Sequence, residues 1–157
     1  MPGPAAPRQD TDHVASALVA SLPALHRGLE RQVAHGFPHP RLPDGQLALL
    51  LLVEEREGIT VRESAEALLM KPNNVSALVS QLTHEGLLER RQDAADKRIA
   101  HLYPTATARE RLAEARTIKE AHLARALHSL TEGELDALGA ALGALSSLNR
   151  HLHTPAG

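Results

Sequence analysis

Between Thr60 and Tyr103 the chain sets out small polar side chains and basic groups in a pattern suited to reading DNA. Asn73, Asn74, Ser76, Ser80 and Gln81 fall on the face of one helical segment opposite Val75, Leu78, Val79 and Leu82. Asn and Gln amides pair bidentately with adenine in a major groove, and Ser pairs with several bases. Arg90, Arg91, Lys97 and Arg98 follow on two strand-like segments and the turn between them. An arginine on a thin hairpin can enter a narrow minor groove, where negative potential is concentrated. Arg62 and Lys71 complete the candidate DNA-binding set. Arg90 and Arg91 equally suit a solvated strand edge, where basic side chains discourage edge pairing.

Other chemistries find little footing. There is no phosphate-cradling glycine loop, no nucleophile elbow and no His pair one helical turn apart flanking a Glu, so no catalytic residue and no enzyme activity are expected. The chain has no Cys, which excludes disulfides and thiolate metal sites. Its 10 His residues invite a metal, yet His122 with His128, His151 with His153 and His35 with His39 lack ligand partners by spacing. They read as scattered surface or pocket histidines, with no metal site and no cofactor expected.

The candidate residues need a scaffold. Val14, Leu18, Leu22, Leu25, Leu29 and Val33 mark a helix over 13–34, with Pro23 a possible kink. A nearly all-apolar helix over 44–57, ended by Gly58, belongs at the centre of the domain. Thr60-Val61-Arg62-Glu63 fits a capping box that opens a short helix with Val61, Ala65, Leu68 and Leu69 as its apolar face. Pro72 breaks the chain. Of Asn73 and Asn74, one is expected to cap the next helix and the other to meet DNA. Gly86 suits that helix's C-terminus. Residues 87–91 and 98–103 read as strands joined by a polar tip. Helical spacing resumes from about Thr105, and Thr131-Glu132-Gly133-Glu134 opens a last helix with a seam of Leu135, Leu138, Leu142, Leu145 and Leu152. Helix, turn, helix and hairpin in this order make a winged helix, whose second helix enters a major groove.

The blocks Thr60–Leu68, Asn74–Leu82, Glu85–Arg90 and Asp93–Arg98 resemble the MarR family of bacterial transcription regulators. The most specific match is Asp96-Lys97-Arg98, the family's Asp-x-Arg wing signature. The resemblance implies that Arg98 enters the minor groove and that Asp96 stabilises the wing by pairing with an arginine. It also implies a homodimer on a palindromic double-stranded operator, usually a repressor. Release of DNA would follow entry of a small phenolic or anionic effector between the dimerisation helices and the winged helix, at residues the sequence leaves unknown. Two departures stand out. Leu69 occupies a turn position where the family often has Gly, costly if its φ is positive. Ala77 stands where an arginine is frequent, which shifts base reading towards Asn74, Ser76 and Gln81.

Composition agrees with this reading. Of 157 residues 43% are hydrophobic, but aromatics number one Phe, one Tyr and no Trp, so the core is aliphatic and base-stacking modules for single strands are disfavoured. The formal net charge of -2 requires basic groups to gather locally if DNA is bound. The expected fold is mainly α with a small β-hairpin wing: a winged helix-turn-helix over 44–104 between dimerisation helices over 11–35 and 105–153, in a single domain spanning 11–157. A flexible arm over 1–10 precedes it. No apolar run approaches membrane-spanning length and Met1–Asp10 lacks a signal peptide's apolar core, so no membrane contact and a cytoplasmic location are expected. A protein-binding winged-helix adaptor and a zinc-responsive regulator are the alternatives.

Overall fold

One aliphatic core, built almost entirely from leucine and valine, organises the chain. A computed structural model of the protein describes residues 10–153. Its elements are helices α1 (Thr11–Gly36), α2 (Asp44–Glu55), α3 (Val61–Ala67) and α4 (Pro72–His84), strands β1 (Leu88–Gln92) and β2 (Ala100–Pro104), and helices α5 (Ala106–Leu127) and α6 (Glu132–His153). The fold is mainly α with an antiparallel two-stranded wing, as expected. β1 and β2 pair from Leu88 with Pro104 to Gln92 with Ala100, and Thr60 adds a bridge to His101. Most of the expected arm, residues 1–9, lies outside the described residues, while its last member, Asp10, caps α1 by accepting from the Asp12 N–H at 3.1 Å.

The apolar helix α2 stands at the centre. Its Leu49, Leu50 and Val53 meet Ala65 of α3, Val75, Val79 and Leu82 of α4, Leu102 of β2 and Leu112 of α5. Among the described residues, every buried apolar side chain lies between Leu49 and Leu112. The outer helices bury little by comparison. α1 runs unbroken through Pro23 and has no buried residue. Leu135, Leu138, Leu142, Leu145, Leu148 and Leu152 of α6 are all at least 41% exposed.

Local chemistry sets the boundaries. The Thr60 hydroxyl accepts from the Glu63 N–H while the Glu63 carboxylate accepts from the Thr60 N–H, and Thr131 and Glu134 repeat the arrangement before α6. Both capping boxes stand where the sequence placed them. The start of α4 differs: neither Asn73 nor Asn74 is a cap, because the helix begins at Pro72 with Lys71 preceding it. Proline is suited to a first helical position, where its fixed φ is helical and its missing N–H has no partner to lose. Pro72 therefore starts the helix rather than breaking the chain. The strands also begin later than expected, since residues 98 and 99 belong to the wing tip, where the Ile99 N–H donates to Asp96 and the Asp93 N–H donates to Ile99.

Helices α3 and α4 end alike. After α4, Gly86 has φ +70, with Gly86 and Leu87 N–H groups returning to Thr83 and Leu82. After α3, Leu69 has φ +53, with Leu69 and Met70 N–H groups returning to Glu66 and Ala65. Both are Schellman endings, which favour glycine at the left-handed residue. Leu69 therefore does not join the apolar face of α3. The left-handed turn leaves it 94% exposed. A side chain in that conformation costs about 1–2 kcal/mol. Replacing Leu69 by Gly should raise the melting temperature by about 1–4 °C, the relief being partly offset by the freedom glycine adds to the unfolded chain. Gly86→Ala should lower it by a comparable amount, both read by thermal unfolding under circular dichroism.

Candidate nucleic-acid interface

The hydrophobic stripe of α4 decides which way its polar residues point. With Val75, Val79 and Leu82 fully buried, Asn73, Asn74, Ser76, Ala77, Ser80 and Gln81 are exposed. Asn73 and Asn74 lie in the first turn with no side-chain capping bond, so both amides remain available. The Ser80 hydroxyl donates to the Ser76 carbonyl at 3.0 Å, which leaves its oxygen as an acceptor. Gln81 is tied from below: its Oε1 accepts from Nε2 of Gln46 at 3.0 Å. Gln46 is buried on α2. Bidentate pairing with adenine needs both ends of an amide, and one end of Gln81 is already engaged. Its Nε2 amino group is thereby the end left free for outward pairing.

The basic residues divide into held and free. Arg62 donates to Glu66 one turn along α3 at 3.2 Å. Arg91 donates to Glu89 at 3.1 Å, and its guanidinium carbon lies over the Tyr103 ring, 4.2 Å from its centre. Lys71, Arg90 and Lys97 are exposed and have no ion-pair partner among the described residues.

Arg98 stands at the wing tip, its side chain 90% exposed yet oriented. Its Nε and Nη2 donate to the two carboxylate oxygens of Asp96, each at 3.1 Å, and its backbone N–H donates to Oδ1 at 3.0 Å. The paired guanidinium, followed by that backbone N–H, holds the Asp96 carboxyl below its ordinary value, and Asp96 in turn raises the pKa of Arg98. Asp96 thus pairs with Arg98 itself.

A second aspartate holds the tip to the body of the domain. Oδ1 of Asp93 accepts from the Ala95 and Asp96 N–H groups at 2.8 and 3.0 Å, and Oδ2 meets Nε2 of His101 at 2.8 Å. The opposite ring nitrogen, Nδ1, meets the Gly58 carbonyl at 2.7 Å. The His101 bond, then the two backbone donors, push the Asp93 carboxyl down to about 2. Asp93, then the Gly58 carbonyl, raise the pKa of His101. Sequence reasoning gave neither residue a role. The signal for Asp93 was an aspartate at the start of a polar turn, two residues before Ala95, the spacing of an Asx turn, whereas His101 depends on a contact far along the chain.

A cavity of about 360 Å³ lies beside the winged helix, between the end of α1, the 37–42 loop, α2 and α5. Phe37, Leu47, Leu50 and Leu112 form apolar walls, and Arg41 and Arg111 add positive charge. The Arg111 Nε is buried without a hydrogen-bond partner among the described residues. Ion pairs cross the neighbourhood: Lys119 with Glu30, Arg116 with Glu54 and His39 with Glu114. His39, for which spacing offered no partner, is therefore engaged across the fold. Among the described residues no group of three or more His, Cys, Asp or Glu could hold a metal ion. No helix among them is long and apolar enough to cross a membrane.

Comparison with known proteins places this architecture. Residues 42–99 match the model of the MarR family. The transcriptional repressor MdtR of Bacillus subtilis is 25% identical over 127 residues, covering 81% of this chain and 82% of that protein. A solved structure of a Pseudomonas aeruginosa protein superposes with a TM-score of 0.73 at 28% identity, covering 91% of this chain and 98% of the other. FabT of Streptococcus pneumoniae, solved in complex with DNA, shares the fold with a TM-score of 0.64 at 17% identity, covering 91% and 99%.

The wing tip is held by few bonds, so one carboxylate has a measurable effect. Asp93→Ala should speed hydrogen exchange at the Ala95 and Asp96 amides by about tenfold, because each N–H loses its acceptor. Exchange in the middle of α4 should not change.

Proposed function

Because the chain is a transcriptional regulator of the MarR family, we propose that it binds a palindromic double-stranded operator as a homodimer, represses from it, and releases it when a small phenolic or anionic ligand fills the cavity beside α2. The observation that carries this reading is the joint exposure of the α4 polar face and of Arg98 on a tethered wing. In this mechanism α4 lies in the major groove, where Asn73, Asn74, Ser76, Ser80 and Gln81 face base edges. Arg98, oriented by Asp96, enters the adjacent minor groove. Lys71, Arg90 and Lys97 meet phosphates, and Arg62 and Arg91 exchange their internal carboxylate partners for phosphate oxygens. The protein would act in the cytoplasm, with the DNA.

The exposed leucines support the dimer. Leu22 and Leu25 of α1 and the α6 row are 41–73% exposed, more apolar surface than a stable monomer ordinarily leaves uncovered. A second copy covering this surface would set two α4 helices about 34 Å apart, one turn of DNA. The cavity lies where α1 and α5 meet the winged helix. A ligand there that favours a different helix spacing would lower affinity by spoiling the simultaneous fit of both halves.

Two experiments test this reading. In a gel shift with the DNA flanking its own gene, the protein should give a specific, salt-sensitive complex, and Arg98→Ala should weaken it by at least about tenfold without altering the circular dichroism spectrum. No specific complex at moderate salt would refute DNA binding. In sedimentation velocity the protein should run as two chains, and Leu142→Glu should shift it towards one by placing a charge in the interface.

A further inference from the structure

The imidazole of His101 lies between two hydrogen-bond acceptors. Nδ1 is 2.7 Å from the Gly58 carbonyl and Nε2 is 2.8 Å from the Asp93 carboxylate. A neutral imidazole carries one N–H and can satisfy only one of them, while the imidazolium donates to both. We propose that His101 is a positioning residue for Arg98: its doubly protonated ring ties the wing tip to the body of the domain, so that DNA binding weakens as the ring loses its proton. This rests on the DNA-binding reading above.

The two acceptors belong to different parts of the fold. Gly58 is fixed in the body: its N–H donates to Leu102 at 2.8 Å, its φ is +83, and a Cβ there would stand 3.1 Å from the Tyr103 hydroxyl. Asp93 belongs to the wing tip, where it gathers the Ala95 and Asp96 N–H groups. Asp96 then holds Arg98. One line of hydrogen bonds therefore runs from Gly58 through His101, Asp93 and Asp96 to the exposed arginine. No other side chain between body and tip has this geometry among the described residues.

The surrounding charges favour the protonated ring. Asp93 faces it from the tip, and Glu63 at the start of α3 adds attraction. Arg56, at the end of α2, is set against Glu63. Arg91 stands opposite in the strand register but is engaged by Glu89 and Tyr103, and Glu57 beside Gly58 is paired with Arg109. The pKa of His101 is raised above 6.5, first by Asp93 and then by the Gly58 carbonyl. Since the folded-state value is the higher one, the tether is complete below pH 6.5 and is lost as pH rises through the raised value.

The test uses the full chain and two readouts. Affinity for the DNA flanking its own gene, measured from about pH 6 to about pH 9, should fall by roughly three- to tenfold in the wild type beyond the fall seen in His101→Gln. His84 at the end of α4 is present in both proteins, so the difference between the two profiles isolates His101. In NMR without DNA, both ring nitrogens of His101 should be protonated at about pH 6, and the Ala95 and Asp96 amide shifts should follow the ring with one midpoint above 6.5. A ring that titrates at or below 6.5, wing amides that ignore it, or a variant with the wild-type pH slope would each overturn the proposal. Coupled NMR titration in a protein that binds no DNA at any pH would uphold the tether and refute the DNA-binding reading instead.

Discussion

A hairpin of two five-residue strands that projects beyond the core has little apolar surface with which to hold its own tip. Polar bonds must do that work. In this protein they come from two carboxylates three positions apart. Asp93 gathers backbone N–H groups of the turn and reaches back to His101, and Asp96 grips Arg98. The position of the wing arginine follows from this chain of contacts. Without it, Arg98 would be a long side chain on a fraying loop, and ordering it at a DNA surface would cost more conformational entropy.

The core imposes a complementary constraint on α4. Its three fully buried side chains, Val75, Val79 and Leu82, fix the rotation of the helix and thereby the set of side chains facing away from α2. Gln46 and Gln81 link the two helices at a polar contact in this packing. The outer helices obey a different logic. α1 and α6 carry leucines that the described chain leaves exposed, the surface on which the proposed dimer rests.

Much of this was legible in the sequence because it depends on neighbours along the chain. Thr60 with Glu63 and Thr131 with Glu134 showed their capping boxes, and Gly86 showed its left-handed turn. The stripe of α4 was readable for the same reason, whereas the resemblance left open which arginine Asp96 pairs with, and the structure pairs it with Arg98. What sequence reasoning missed depends on tertiary contact or on a local rule overridden. Proline at a first helical position displaced the caps assigned to Asn73 and Asn74. Leu69 left the apolar face of α3 that its spacing suggested, because it takes the left-handed turn position where the resemblance expects Gly. His101 finds Gly58 from 43 positions away, which no spacing rule along the chain reveals.

The central claim is that α4 and a tethered Arg98 engage DNA together, twice per dimer. Hydroxyl-radical footprinting on the bound DNA tests it most directly, because the reagent reports minor-groove access at single-nucleotide resolution. The account predicts a two-fold symmetric pattern whose outer minor-groove protections disappear in Arg98→Ala while the inner pattern remains. Identical footprints for the wild type and Arg98→Ala, or protection lacking two-fold symmetry, would contradict it.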